Sequence, residues 1–344
     1  MTSTGWFGET PSRAINYGVT FVVACSLALL LTPKLREAAL RFGIVDRPDG
    51  QLKQQREPVP YLGGLAIYLA FLLAVSLTIP FDRQVLGILL AGSIVVTLGL
   101  VDDLGRLGPW TKLAGQLVAV LVLWKAGVFI QLTFVPPVLA LVLTAVWMLA
   151  VTNAFNLIDI MDGLSAGTAT VAALTLLVIA EINGNGTAAV LLAGLAGACL
   201  GFLRYNAEPA RIYMGDAGSL FLGLSLGALA MDNAYTARNA VAAVAPGLIL
   251  GVPLFDMLFV MYVRRRRGLP VMLGSPDHIA LRLRKWRLTT RQTVASSYAA
   301  TALLGACAIA MMLLPAGGAV AVLGVVAVAA LGIALLLRRI DMSL

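Results

Sequence analysis

Ten carboxylate and amide side chains gather at the polar breaks of an otherwise apolar chain: Asp102, Asp103, Asn153, Asn156, Asp159, Asp162, Asn206, Asp216, Asp256 and Asp277. Oxygen donors of this kind, with many guanidinium and ammonium groups and no cage of cysteine and histidine, suit Mg²⁺ held together with phosphate. Magnesium takes one or two carboxylates and completes its shell with phosphate oxygens and water; Mn²⁺ would suit the same donors. Phosphoryl transfer is the reaction class indicated. The glycine-rich loop ending in Lys-Ser or Lys-Thr that cradles ATP is missing from the sequence, which argues against ATP.

Four segments carry the pattern. Val101-Asp102-Asp103 ends one apolar stretch and Lys112 opens the next. Adjacent carboxylates repel, so one is driven toward its protonated form unless a cation compensates; that suits a general base or a metal-linked site, although an isolated Asp-Asp pair is more simply a solvated helix end. Asn153, Asn156, Asp159 and Asp162 recur at three-residue intervals before Gly163, which on a helix keeps them along one drifting stripe. Interhelical hydrogen bonding would need one or two of them, so four inside apolar sequence favour function. Asn206 leads to Met214-Gly215-Asp216-Ala217-Gly218-Ser219, where Asp216 is expected near a helix N-terminus, either as a plain N-cap or as part of an anion or metal site flanked by glycines. The last segment follows Pro253 and Asp256 and runs from the arginines at 264–267 through Ser275-Pro276-Asp277-His278 to Arg282 and Gln292. The arginine run reads as a topology anchor, whereas a carboxylate at 256 must be paired or serve a purpose.

The elements that position these groups follow from composition. Of 344 residues, 60% are hydrophobic and 12% charged, with a mean hydropathy of +0.91, against about 25% charged in soluble chains. A water-soluble enzyme is excluded, and an all-α polytopic membrane protein is expected as one domain over residues 1–344. Eleven transmembrane helices are expected at 15–33, 61–80, 85–101, 112–131, 134–152, 164–182, 186–203, 217–233, 240–263, 293–314 and 316–337. Lys34 and Arg36 follow the first, the reverse of a signal peptide, so it reads as a retained helix with its N-terminus outside. Placing alternate breaks in the cytoplasm, from 34–60 onward, assigns 21 of the 25 Lys and Arg to that side and leaves Arg13, Arg83, Lys125 and Arg238 outside. The odd span number and an N-out, C-in orientation therefore agree. The polar groups fall in cytoplasmic loops at about 34–60, 102–112, 153–164, 204–216 and 264–292, whereas a transporter would set its ionisable groups near the bilayer midplane. Chemistry at the cytoplasmic surface of the inner (plasma) membrane is expected. The net charge of +8 has no soluble basic face with interleaved aromatics, so no nucleic-acid partner is expected. Cys25, Cys199 and Cys307 lie in apolar segments and read as small core residues.

At these residues the chain resembles the polyprenyl-phosphate N-acetylhexosamine-1-phosphate transferases, the WecA/MraY-type integral membrane family, over residues 43 to 292. The likeness rests on Asp102-Asp103 with Leu107, Pro109 and Lys112; on the Asn153-to-Gly163 stripe; on Asn206 followed by Met214-Gly215-Asp216 and Gly218-Ser219; and on Pro253 with Asp256. Asp46-Arg47-Pro48 through Lys53 to Pro60-Tyr61-Leu62-Gly63-Gly64 resembles the family's first cytoplasmic loop. The resemblance implies attack by undecaprenyl or another polyprenyl phosphate on the β-phosphate of a UDP-N-acetylhexosamine, giving a lipid-linked pyrophosphate sugar and UMP. It implies Asn156 and Asp216 as Mg²⁺ ligands, Lys112 as the neutraliser of pyrophosphate charge, and Asp102 and Asp103 as the groups that position or deprotonate the lipid phosphate. Asp162 would face the uracil, while His278 and Arg282 would approach the sugar and diphosphate; Lys53, Asn153, Asp159, Asn206 and Asp256 complete the implied substrate-binding set. Membrane lipids are implied partners, and a homodimer is compatible with the family.

Three positions differ from the family pattern. Its His-x-His-His stands here as His278-Ile279-Ala280-Leu281, Ile160 replaces a glycine beside the uracil, and Gln55 replaces a histidine. His278 is therefore expected as an isolated, exposed imidazole that donates a hydrogen bond rather than acting as a base, with Arg282 as the stronger phosphate group. The eleven-span branch acting on UDP-GlcNAc fits better than the histidine-rich muramoyl-pentapeptide branch, so N-acetylglucosamine-1-phosphate is the expected cargo, in a first membrane step of cell-envelope glycan synthesis. The alternative is a non-catalytic relative that binds polyprenyl phosphate, or a lipid transporter on the same scaffold. The missing histidines and Ile160 favour that alternative; Asp102, Asp103, Lys112, Asn156 and Asp216 oppose it.

Overall fold

The computed structural model describes residues 10–46, 58–105, 107–132, 135–270, 275–340 and 342. Its helices are α1 (Thr10–Arg41), α2 (Gly63–Thr78), α3 (Arg83–Asp103), α4 (Pro109–Ala126), α5 (Pro137–Leu157), α6 (Leu164–Ile182), α7 (Gly186–Asn206), α8 (Gly215–Met231), α9 (Ala245–Ile249), α10 (Gly251–Arg266), α11 (Ile279–Lys285), α12 (Thr290–Leu313) and α13 (Ala316–Leu337). A 3₁₀ turn, Ala240–Val244, precedes α9, and a short antiparallel ladder joins β1 (Val45–Asp46) to β2 (Val59–Pro60). Among the described residues seven helices are long and apolar enough to cross a membrane, or eight if the bent pair around residue 250 is one span. The protein is thus an all-α, multi-pass membrane protein.

The helices at the expected spans 61–80, 112–131 and 217–233 have 16, 18 and 17 residues and are not among those seven, and two further spans differ in their course. The first helix does not stop at 33 but runs through Pro33 to Arg41. A proline inside a helix frees the carbonyl four residues earlier, and here the Tyr205 hydroxyl takes up the Leu29 carbonyl at 3.0 Å, which satisfies it within the bundle. The range 240–263 is not straight: α10 turns away from the preceding segment by 79°, where Pro246, Gly251 and Pro253 weaken helical continuity. Asp256 consequently sits early in α10.

Buried helices α7 and α8 form the centre, α7 packing on α1 and α6 and α8 on α3 and α5. The small residues of α7 permit the close backbone approach that helix pairing in lipid relies on. At one end of the bundle α3 ends, α4 begins with Pro109 in its first turn, α5 ends and α8 begins. The segment 211–214 is stitched to β2 and α2 there: Tyr213 N–H donates to the Pro60 carbonyl at 2.9 Å, Gly63 N–H to the Tyr213 carbonyl at 3.0 Å and Gly64 N–H to the Met214 carbonyl at 2.9 Å. Gly64 and Gly218 pass so closely that a Cβ on either would strike the other's backbone.

Candidate active site

The Lys112 ammonium, in the first turn of α4, is shared by side chains from three other helices. It reaches Asp102 of α3 at 2.9 Å, Asn156 of α5 at 3.0 Å, and Asp216 of α8. Asn156 closes the ring by donating through Nδ2 to Asp216 Oδ1 at 2.7 Å and to Ser219 Oγ at 2.9 Å. The Lys112 side chain is 15% exposed and that of Asp216 32%, so the cluster lies at a rim where a ligand can reach groups partly withdrawn from water.

Asp103, the neighbour of Asp102, does different work. Its Oδ1 accepts the Asp216 N–H at 2.7 Å and its Oδ2 the Ala217 N–H at 3.3 Å. Met214, the N-cap residue of α8, supplies no side-chain cap, so a carboxylate from α3 satisfies N–H groups that a helix start leaves open. Its charge also meets the positive end of the α8 dipole. Gly215 makes the entry turn at φ +68, and a Cβ there would meet the Asp103 carboxylate. The helix start that the sequence offers as an anion site is thus filled by Asp103, and Asp216 is not an N-cap: its side chain is turned to Lys112 and Asn156.

The stripe of four polar residues does not stay on one helix, because α5 ends at Leu157. Asn153 and Asn156 share the helix, whereas Asp159 and Asp162 lie in the turn before α6. Carboxylates are unfavourable at the negative end of a helix, and this turn has other anchors. Asn206 Oδ1 accepts the Gly163 N–H at 3.0 Å while its Nδ2 donates to the Ile212 carbonyl at 3.0 Å; Asp162 Oδ2 accepts the Ala210 N–H at 2.8 Å; and the Tyr298 hydroxyl donates to the Gly163 carbonyl at 2.5 Å. Asn153 is paired with Gln116 of α4, donating to its Oε1 at 2.7 Å. Asn153, Asp162 and Asn206 therefore hold elements together. Asp159 is different: burial raises its carboxyl well above the usual range, and the charges of Asp216, Asp103 and Asp162 add to the rise.

These donors fit a hard divalent cation. Asp102 and Asp216 share one ammonium, so these contacts carry one carboxylate charge more than their own cation balances. Among the described residues no three Asp, Glu, His or Cys side chains converge to hold an ion alone; Asp216 with Asn156 is the open kind of donor pair that Mg²⁺ completes with phosphate and water.

A sequence profile described as Glycosyl transferase family 4 matches residues 85–234. The chain is also 33% identical over 295 residues to a probable undecaprenyl-phosphate N-acetylglucosaminyl 1-phosphate transferase of Bacillus subtilis, an alignment covering 83% of this chain and 82% of that one. The chain belongs to glycosyl transferase family 4. A decaprenyl-phosphate N-acetylglucosaminephosphotransferase of Mycolicibacterium smegmatis is 31% identical, with 92% of this chain and 88% of that one aligned. A phospho-N-acetylmuramoyl-pentapeptide-transferase of Heliobacterium modesticaldum is 31% identical, with 78% and 90% aligned. The resemblance to the WecA/MraY-type enzymes is therefore sound, and every residue of the Lys112 cluster lies inside the segment matched by the glycosyl transferase family 4 profile.

Beyond that segment this family 4 chain departs from expectation. His278 is neither isolated nor exposed: it is 2% exposed, with Nδ1 2.6 Å from Asp256 Oδ2, and the other Asp256 oxygen accepts the Ile279 N–H at 2.7 Å. Arg282 is fully buried. It donates to Asp277 Oδ1 at 2.6 Å, the Asp277 carbonyl at 3.0 Å, and the Leu337 and Ile340 carbonyls at 3.1 and 2.7 Å. A guanidinium engaged in this way ties α11 to the end of α13 and does not grip a diphosphate. Apolar residues explain the inward packing: Ile279 and Leu283 lie on Phe259, Val263 and Leu337, and Ala280 lies on Leu164 and Val294. Lys53 and Gln55 fall outside the described residues.

Sequence reasoning passed over two tyrosines beside the cluster. Tyr61 and Tyr213 have ring centroids 6.4 Å apart. Burial and a bond to Asp46 raise the Tyr61 hydroxyl, with the charges of Asp103 and Asp216 contributing; Tyr213 is raised to about 12, mainly by burial. Tyr61 stands within the quoted Pro60-to-Gly64 segment and Tyr213 immediately precedes Met214, but nothing in their spacing marks them as facing carboxylates.

Proposed function

We propose that the protein transfers N-acetylglucosamine-1-phosphate from UDP-GlcNAc to undecaprenyl phosphate, or another polyprenyl phosphate, at the cytoplasmic face of the inner membrane, as the first membrane step of a cell-envelope glycan. The proposed topology has eleven spans, the N-terminus outside and the C-terminus inside. One observation carries the reading: Lys112 joins Asp102, Asn156 and Asp216 from four helices at one edge of the bundle, where a water-borne nucleotide and a membrane-borne lipid can meet. The relatives named for N-acetylglucosaminyl phosphate transfer support the choice of sugar.

In this reaction an oxygen of the lipid phosphate attacks the β-phosphorus, the bond from that phosphorus to the α–β bridging oxygen breaks, and UMP leaves with the oxygen and its electron pair. Two anions must approach each other, so the chief task of the protein is to supply positive charge at the diphosphate. Lys112 does this by passing from Asp102 and Asp216 to the phosphoryl oxygens. Asp102, beside that ammonium, positions the lipid phosphate and takes its proton when it arrives protonated. Asn156 and Asp216 would hold Mg²⁺, with Mn²⁺ as a substitute, and the ion would neutralise charge on the diphosphate. Asp103 keeps Asp216 in place through the first turn of α8.

Purified protein in detergent, given undecaprenyl phosphate and Mg²⁺ with either UDP-GlcNAc or UDP-MurNAc-pentapeptide, tests the proposal through UMP release. UMP is expected with UDP-GlcNAc, and only when lipid and Mg²⁺ are both present. UMP from the pentapeptide donor alone would move the protein to the other branch, and none from either would favour a binding relative.

A further inference from the structure

Three of the helices that carry the Lys112 cluster bear a second polar constellation at their opposite ends. α3 begins at Arg83, α4 ends at Ala126 and α8 ends at Met231. With 21 residues in α3, this corner lies about 30 Å from Asp103. Two cavities adjoin it. A groove of about 420 Å³ between α3 and α4 is walled by Leu86, Leu90, Val118 and Leu121 and has Arg83 and Lys125 at its polar end. The Arg83 guanidinium donates to the Lys125 carbonyl, which holds the two cationic residues together. The second cavity, about 280 Å³, is lined by Gln84, Phe129, Gln131, Asp232 and Asn233 among others. Gln84 adjoins Arg83 in the chain, and Gly127 of the second cavity follows Lys125 by two residues.

Behind the wall of the second cavity lies a closed-off acceptor. Asn233 is 9% exposed; its Nδ2 donates to the Leu229 carbonyl at 2.9 Å, while its Oδ1 has no hydrogen-bond partner among the described residues. A buried acceptor without a donor is costly. Beside it stands the Asp232 carboxylate, which accepts from Asn185 at 3.0 Å. The nearby Asp82 is already engaged, accepting the Val85 N–H at 2.8 Å as the cap of α3.

We propose that this corner binds a zwitterionic phospholipid with a primary amine, phosphatidylethanolamine in chemical type, in the leaflet far from the Lys112 cluster. An acyl chain fills the groove, the phosphodiester meets Arg83 and Lys125, and the ammonium enters the second cavity against Asp232. Apolar walls alone would take any acyl chain, so selectivity comes from the headgroup. An anionic headgroup without an amine leaves Asp232 unmet, whereas an amine without phosphate leaves the two cations unmet. The inference does not depend on the reaction proposed above.

Native mass spectrometry of the full-length protein with equimolar lipids of identical acyl chains tests it. Phosphatidylethanolamine is expected to be retained about tenfold over both phosphatidylglycerol and phosphatidylcholine, whose quaternary ammonium cannot donate a hydrogen bond. Asp232→Asn is expected to abolish the preference while keeping total lipid binding; Arg83→Ala with Lys125→Ala is expected to lower binding of all three. The comparison among the three lipids on unaltered protein requires no variant to fold. Equal retention, a preference for phosphatidylglycerol, or a preference that survives in Asp232→Asn would overturn the assignment.

Discussion

The charged clusters around Asp277 and around Lys112 follow opposite rules. Around Asp277 charges are matched and water is shut out: Arg282 and Arg267 converge on one carboxylate, His278 sits on Asp256, and of these only Arg267 is substantially exposed. Around Lys112 a single ammonium is stretched over Asp102, Asp216 and the Asn156 amide at a partly open rim, with Asp103 and Asp159 close by. Buried charge that is fully paired acts as structure. Charge left out of balance at an accessible edge is suited to a ligand. The comparison thus assigns substrate chemistry to the Lys112 side and anchoring to the loop that carries the only histidine.

The comparison breaks most directly at its cation. Lys112→Gln keeps a hydrogen-bond donor but removes the charge, and UMP release is expected to fall about 10³-fold with little change in melting temperature; an unchanged kcat would show that Lys112 is scaffold. Arg282→Ala leaves the Asp277 carboxylate to the half-exposed Arg267 and to Ser275 and frees the Leu337 and Ile340 carbonyls, and is expected to cost about 3 kcal/mol in stability, read by thermal unfolding, while the fraction that stays folded retains its kcat. A selective loss of kcat at unchanged stability would return Arg282 to the substrate. Asp103→Asn is expected to cost about 1–2 kcal/mol through the weakened cap and lost charge at α8, with a smaller fall in kcat than Lys112→Gln. If Asp103→Asn matched Lys112→Gln in kcat at full stability, Asp103 would be a chemical group. The smallest effect is expected for Asn153→Ala, about 0.6 kcal/mol for one interhelical amide pair, with activity close to that of the parent.

Helix-end chemistry was legible because polar residues in apolar sequence are expensive and therefore conspicuous. Asp102, Lys112, Asn156 and Asp216 stand out that way, and the structure brings them together. What stayed hidden depends on backbone partners far along the chain, which have no side-chain signature. Arg282 is absorbed by carbonyls 55 and 58 residues away, so a loop arginine that resembles a phosphate ligand is a structural tie. Asp103 caps a helix 113 residues later; it differs from Asp102 because consecutive residues on a helix point about 100° apart. The end of α5 was hidden for a related reason, since the turn at 158–163 is held by Asn206 and Tyr298 from other helices.

The account stands or falls on Asp216. Turnover and thermal unfolding of Asp216→Asn should be measured on the same preparation as the parent, with undecaprenyl phosphate, UDP-GlcNAc and saturating Mg²⁺. The account predicts that UMP release is lost while the melting temperature holds, because the amide keeps the shape and removes the charge that Lys112 and a metal ion share. Near-normal turnover, or a loss that merely tracks unfolding, would contradict it.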